Sequence, residues 1–292
     1  MRANPTRLVV LSGVVLLLLL MARLACSVPR LEFSPTPTPA PSPTPTPTPG
    51  PVYQNVLGIL GRTGVVLPLV DPEQPSSFTT VGAISAVFTW SEPPPPTALE
   101  NGVPVVTFNG TDEEADSPDA AYWTRGDGSN DSPMSVGLWV NLADLASSSL
   151  LSKYSDGGSQ EYITHLSRGK LQFLARDRSA AVEVNRLADA ALSADIWHFV
   201  VVTYDGTGGA TAMNGATWYV DGAAVASTAT NNGRYVSMED TSQVVELGDR
   251  NNGSFFKGKM GGGPLGPFFT HKELSADDVS ALYEMGREAL GL

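Results

Sequence analysis

Between Trp197 and Ala226 the chain reads WHFVVVTYDGTGGATAMNGATWYVDGAAVA. A Trp opens a run of β-branched and aromatic residues that continues to Tyr204. Asp205-Gly206 stops it. A second apolar run follows and is broken at Val220-Asp221-Gly222-Ala223. Asp-Gly between two apolar runs marks a hairpin, because its turn positions take positive φ. Both faces of the 197–204 run are apolar, so this strand belongs in the middle of a sheet, covered on both sides. A chain with this much strand-forming bulk in one stretch folds as sheet.

The rest of the chain from Tyr53 onward has the same character. Short runs such as Val65–Val70, Val81–Trp90, Val103–Phe108, Met134–Asn141, Leu150–Tyr154, Glu161–Ser167 and Lys170–Ala175 alternate with Gly, Asp, Asn, Ser and Pro. Many short strands at regular spacing predict a sandwich or barrel. Val136, Leu138 and Val140 share one strand face, and Gly137, Trp139 and Asn141 share the other. One helix is marked near the end. Ser275 is the expected N-cap with Asp278 as a variant capping box. Val279, Leu282 and Met285 form its apolar face, and Gly286 is the expected stop. There is no repeat and no sign of a second folded domain.

The first fifty residues differ from the rest. Arg2 and Arg7 precede the apolar stretch Leu8–Ala22, which is short for a membrane span and suits a signal peptide. An uncleaved anchor, or lipidation at Cys26 after Leu24-Ala25, are the alternatives. Proline then recurs at every second position from Pro35 to Pro51, mostly alternating with Thr. That pattern excludes helix and sheet and predicts an extended polyproline II spacer. The expected organisation is a signal or anchor over 1–27, a Pro/Thr-rich linker over 28–51 and one domain over 52–292. The expected location is extracellular or at the cell surface, with the membrane met only through the N-terminal segment. From residue 51 onward 14 basic side chains face 29 acidic ones, a net of −15. Such a surface argues against nucleic acid and suits cations or neutral partners such as glycans. The lone cysteine, Cys26, precludes an internal disulfide.

Several motifs resemble the laminin-G-like, concanavalin A-like jelly-roll domains, in which "WHHVAVTYDG…LYVDG" recurs. Trp197–Gly206 and Trp218–Gly222 carry the best matches. Phe108-Asn109-Gly110-Thr111-Asp112, Ser135–Val140 and Leu150–Lys153 resemble the family's entry and strand motifs. "ELG…FFKGKM" and "KELSADDVSALYE" resemble its closing segment, and Tyr53–Asp71 faintly resembles its first strand. The resemblance implies an all-β, two-sheet antiparallel jelly-roll sandwich with one short C-terminal helix. It departs where the family has an acidic residue before the last long strand. Here the chain reads Met260-Gly261-Gly262-Gly263-Pro264-Leu265-Gly266-Pro267.

Candidate chemistry is sparse. The Glu-x-Asp-x-x-Glu runs of glucanases with this fold are absent, and Glu113-Glu114-Ala115-Asp116 reads as a solvated loop. His165, His198 and His271 lie on separate strands without metal-ligand spacing. No glycine-rich phosphate cradle is present. Calcium, which takes six to eight oxygens, is the expected cofactor if there is one. Pentraxins, relatives by fold, imply Gln160 and Glu161 with Asp249 and Asn251 as its ligands. Tyr154, Asn231, Asn232 and Tyr235, in or beside polar loops, are the candidates to face a glycan. These readings point to a non-enzymatic module that binds glycan or glycoprotein. The alternatives are a glycoside hydrolase pairing Glu161 with Glu183 or Glu239, and an adhesion domain without a small ligand.

Overall fold

The computed structural model describes residues 50–292, Asn252 excepted. The expectations for the signal segment, Cys26 and the Pro/Thr spacer fall on residues before 50 and lie outside the described residues. In chain order the elements are α1 (Pro51–Leu60), β1 (Val65–Val66), β2 (Ser77–Thr79), β3 (Val81–Gly82), β4 (Val87–Trp90), β5 (Thr97–Glu100), β6 (Val103–Asn109), β7 (Ala115–Ser117), β8 (Met134–Leu142), β9 (Ser148–Tyr154) and β10 (Gln160–Ser167). There follow β11 (Lys170–Asp177), β12 (Val182–Ala191), β13 (Trp197–Tyr204), β14 (Ala216–Val220), β15 (Ala223–Ala224), β16 (Ser227–Thr230), β17 (Val245–Leu247), β18 (Lys257–Gly261), β19 (Phe268–Thr270) and α2 (Ala276–Leu290).

The strands form two antiparallel sheets, as a jelly-roll sandwich requires. The first runs β15-β14-β13-β8-β18-β6-β5, with β19, β1 and β3 branching from β8. The second runs β16-β12-β11-β10-β9-β17-β7-β4-β2. Alternation puts every second side chain between them. Val136, Leu138 and Val140 of β8 and Val200, Val202 and Tyr204 of β13 meet Tyr162, Phe173, Ala175 and Val184 of the second sheet in one core. The other face of β8 and β13 carries Trp139, Phe199 and Val201. These pack under Val56 and Leu60 of α1 and Val279, Leu282 and Leu290 of α2. The strand read as doubly covered is therefore doubly covered.

Turn chemistry explains the connections unevenly. Asp221 and Gly222 both have positive φ, 50° and 81°, and close the β14–β15 hairpin. Asp205-Gly206 ends β13, but the chain continues through a 3-10 segment, Gly209–Gly215, before β14. No two-residue hairpin forms there. The start of the domain is helix where the resemblance placed a strand. Pro51 sits at the first turn of α1, where its missing N–H costs nothing, and Val56 and Leu60 bury one stripe at helical spacing. The α2 cap is as expected: Ser275 Oγ accepts from the Asp278 amide (3.1 Å) and the Asp278 carboxylate accepts from the Ser275 amide (3.0 Å). Gly286 does not end α2. It lies inside the helix, where a Cβ would sit 2.2 Å from Trp139 Nε1. The stop is Gly291, at φ 72°. Gly286 is there for close approach to the sheet.

Candidate functional site: a carboxylate cluster on the open sheet face

Both helices lie over the first sheet. The outward face of the second sheet carries mostly polar side chains in register, interrupted by Ile163 and Leu174. Thr89, Asp116, Glu246, Ser152, Ile163, Leu174, Asn185 and Thr230 stand opposite one another from strand to strand. Local sequence fixes which residues point outward. In β17, Val245 and Leu247 enter the core, so Glu246 faces away. In β7, Ala115 enters the core, so Asp116 faces away, and Glu114, two residues earlier, falls on the same side. Gly248 then turns the chain. Its φ is 84° and a Cβ would lie 2.6 Å from Phe108, so only glycine fits. The turn brings Asp249 back beneath the cluster. The Glu113–Asp116 run is thus no solvated loop: its acids flank a strand and are half-buried or buried.

One carboxylate oxygen from each of Glu114, Asp116 and Glu246 lies within 4.8 Å of the others. Glu246 is nearly sealed from solvent. Its Oε1 accepts from the Asn251 amide (2.7 Å), and its Oε2 lies 3.3 Å from Ser152 Oγ and 3.4 Å from Gln243 Nε2. Asp249 is fully buried. Its Oδ1 accepts from the amides of Ser254 (2.7 Å) and Gly253 (3.2 Å). Burial, reinforced by its acidic neighbours, pushes the Glu114 carboxyl up to about 8. Burial and then Asp249 push Asp116 up to about 6. Burial also raises Glu246, to about 7, with the Asn251 amide opposing and Asp116 and Asp249 adding to the shift. Four acceptor-only groups in a desolvated patch can share protons or hold a hard cation.

The residues expected from sequence are distributed differently. Asp249 joins the cluster. Asn251 contributes its backbone amide to Glu246 and is itself exposed, at φ 52°. Gln160 and Glu161 do not join. A β-bulge leaves Glu161 as the extra residue of β10, since Gln160 faces Tyr154 while Tyr162 faces Lys153. The bulge re-aims the Glu161 carboxylate to Lys153 Nζ and to the amide and hydroxyl of Thr241 (2.8 and 2.9 Å). Lys153 also pairs with Asp119 at 3.0 Å.

The glycan candidates are mostly structural. Tyr154 is buried, donates to Glu183 Oε2 (2.8 Å) and lies beneath the Arg250 guanidinium. Tyr235 is buried and donates to Asp131 Oδ2 (2.8 Å). Asn231 Oδ1 accepts from the Met213 amide (2.9 Å) and Asn232 Oδ1 from the Arg234 amide (3.0 Å). Tyr235 is turned inward to the buried Asp131, whereas Tyr154 lies on the outward face of the second sheet beside Ile163 and Leu174, covered by Arg250. Glu183 and Glu239 serve different neighbours, Tyr154 and the Ser179 amide, so neither pairs with Glu161. His165, His198 and His271 bond separately to Gln172, Asp221 and the Tyr122 carbonyl. Glu114, Asp116 and Glu246 escaped the sequence reading. The available signal was an acid between inward apolar residues, as in Val245-Glu246-Leu247.

Comparison with known proteins places this geometry. No curated protein sequence matches the chain. Solved structures with the same fold include the binding domain of botulinum neurotoxin serotype G, at 12% identity and TM-score 0.55, covering 76% of this chain and 50% of that one. The serotype D binding domain aligns at 11% identity and TM-score 0.51, over 78% of this chain and 52% of that one. A type C neurotoxin structure described by its interaction with two ganglioside molecules aligns at 11% identity and TM-score 0.51, over 76% and 50%. The chain spans about half the length of these structures, and at such identities the likeness is one of fold. A family model described as concanavalin A-like lectin/glucanases superfamily matches residues 109–262, more than half of the sequence. The match runs from the end of β6 to the end of β18 and takes in all four clustered carboxylates, and the chain belongs to the concanavalin A-like lectin/glucanases superfamily.

Proposed function

We infer that the domain is a non-enzymatic binding module for carbohydrate or glycoprotein, displayed outside the cytoplasm on the Pro/Thr segment. The observation that carries this reading is the contrast between the two outward sheet faces. One is sealed by helices; the other presents Thr89, Asn185 and Thr230 in line with the acids. Hydroxyls, amides and carboxylates in a row are the groups that hydrogen-bond sugar hydroxyls. The family includes lectins, and the type C neurotoxin structure of this fold is described by its ganglioside contacts. The Arg2/Arg7-led apolar segment and the alternating prolines support surface display. An array of neutral and sialylated glycans, probed with the purified protein in calcium and in chelator, tests the reading. Retention of at least one glycan class is expected; no retention in either condition overturns it.

A second reading, glycoside hydrolysis, draws on Asp116 standing directly opposite Glu246 with both carboxyls raised. Retaining enzymes hold their two carboxyls about 5–5.5 Å apart and inverting ones about 6.5–9.5 Å. Here the oxygens come within 4.8 Å, and Glu246 is only 4% exposed. The groove of about 620 Å³ beside Trp90, Pro94 and Leu99 is lined by other side chains. A pair this buried leaves no room for a glycosidic bond between its carboxyls, whereas Thr89, Asn185 and Thr230 on the same face are open or half-open to a glycan, so binding is the better-supported function. Release of reducing sugar, abolished in Asp116→Asn, would reverse that order.

A further inference from the structure

Carboxylates buried elsewhere in the fold are held by several donors or paired with a cation. Asp131 Oδ2 accepts from Tyr204 (2.6 Å) and Tyr235 (2.8 Å), and its Oδ1 from the Met238 amide (2.7 Å). Asp177 takes the amides of Ala180 (2.8 Å) and Val236 (2.9 Å). Glu161 Oε1 has Lys153 and Thr241; its Oε2 meets no donor, but the Lys153 ammonium balances the charge. The cluster on the open sheet face is different. Glu114 Oε2, Asp116 Oδ1 and Asp249 Oδ2 are buried and meet no hydrogen-bond donor. Asp249 is the telling member, being fully buried with Oδ1 already held by two loop amides. Its free oxygen is left facing the other acids, each of which feels its charge. Among the described residues no Lys or Arg pairs with any of the four. Arg250, the nearest in sequence, turns instead to Asp156 (3.2 Å) and lies over the Tyr154 ring.

Unpartnered buried carboxylate oxygens are costly, and the cost falls when a cation replaces the missing donors. Calcium ligands sit about 2.3–2.6 Å from the ion, so two ligands of one shell are at most about 5 Å apart. The mutual separations of the Glu114, Asp116 and Glu246 oxygens, within 4.8 Å, meet that limit, and Asp249 adds its charge beside them. The donor set is all oxygen, without His or Cys, which suits a hard ion and not zinc. Magnesium ordinarily keeps several waters and takes one or two carboxylates, whereas four largely desolvated carboxylates suit calcium. We propose that Glu114, Asp116, Glu246 and Asp249 form a binding site for a divalent cation of the calcium class. Such an ion ties β7, β17 and the 249–254 loop together. This cation set is not the Gln160–Glu161–Asp249–Asn251 set that the pentraxin comparison implies; the two share only Asp249. The proposal stands whether or not the open face binds glycan, because cation binding is measured without one.

The test uses the full-length purified chain, stripped with chelator and titrated with calcium alone and magnesium alone by calorimetry, with thermal unfolding recorded in parallel. Saturable binding of calcium with a raised Tm is expected, with magnesium at least tenfold weaker. Asp116→Asn and Glu246→Gln keep the side-chain shapes and are expected to weaken calcium at least tenfold. In chelator their Tm should equal or exceed the wild type's, because like-charge repulsion has been relieved; a merely structural role would lower it. Glu284→Gln, on the exposed side of α2, should bind calcium as the wild type does. Should a cluster variant fail to fold, the wild-type titration decides alone. No calcium binding by the wild type at millimolar concentration, or unchanged binding in both cluster variants, overturns the proposal. A cluster that only shares protons would give the first of these results.

Discussion

The two sheets contribute alike to the core between them and differ on their outward faces. On the first sheet the outward positions of β8, β13 and β19 are Trp139, Phe199, Val201 and Phe268, and two helices close over them. On the second, the row from Thr89 to Thr230 is acidic and hydroxylated at one end, and only Tyr154, Ile163 and Leu174 make a small apolar island. Apolar outward side chains need a cover, and α1 and α2 supply it. Polar outward side chains need none, and that face is left for recognition. The same fold therefore divides shape from chemistry: one outward face holds the domain together, and the other can change residue by residue without cost to the core.

The division is most sharply broken by removing the centre of the helix-covered face. Trp139 is 1% exposed and its ring packs against Phe199 at 5.2 Å and Tyr283 at 5.7 Å. Trp139→Ala should cost about 3–5 kcal/mol in chemical denaturation, the usual range for a buried large aromatic. Less severe but more diagnostic is Gly286→Ala. Within an exposed helix this change stabilises by about 1 kcal/mol. Here the new methyl would lie 2.2 Å from Trp139 Nε1, so a loss of about 1–3 kcal/mol is expected from overpacking. A stabilised Gly286→Ala protein would mean that α2 does not sit this close to the sheet.

The open face answers to pH instead. Unfolded carboxyls titrate near about 4, whereas Asp116, Glu246 and Glu114 are held up to about 6, 7 and 8. Between those limits the folded protein binds more protons than the unfolded one, so stability falls as pH rises. In chelator, the wild-type Tm should drop by a few degrees from pH 7 to pH 8.5, and Glu246→Gln should flatten that slope. His165 and His271, whose folded-state pKa values are lowered by burial, act in the opposite sense, but only as pH falls through the ordinary histidine range. They are common to both proteins, so the difference between wild type and variant isolates the cluster. An identical slope in the variant would remove the acids from the account.

The parts of this molecule legible in sequence are those set by neighbours along the chain. Val136, Leu138 and Val140 fall on one face and Trp139 on the other because alternation is local, and Asp221-Gly222 turns because its own φ values demand it. Gly286 misleads because a glycine near a helix end looks like a stop, while its reason is a tryptophan about 150 positions away. The site is hidden for the same cause. Asp116 and Glu246 are about 130 positions apart, and only the register of β7 against β17 brings them opposite. Asp249 was visible as a loop acid. Glu161 looked equivalent until a bulge, which alternation does not foretell, turned it to Lys153. Tyr235 sits among polar loop residues and yet is buried, since Asp131 takes its hydroxyl.

The smallest expected effect tests whether the cover of the first sheet is independent of the chemistry on the second. Ser275 caps α2: its Oγ accepts from the Asp278 amide, and Asp278 returns the bond to the Ser275 amide while also holding Lys272 at 2.8 Å. Ser275→Ala leaves the Asp278 contacts to the Ser275 amide and to Lys272 in place and removes the hydroxyl, which accepts from the Asp278 amide and donates to its carboxylate. A loss of about 1 kcal/mol is expected, with Ser275→Asp restoring most of it. Because α2 touches the sheet through Val279, Leu282 and Leu290, further along the helix, the frayed first turn should not disturb Trp139 or reach across the sandwich. The calcium titration and the pH slope of the Ser275→Ala protein should therefore match the wild type's. If either moves with the cap, the two outward faces are coupled through the core, and chemistry on the open face depends on how tightly the other is closed.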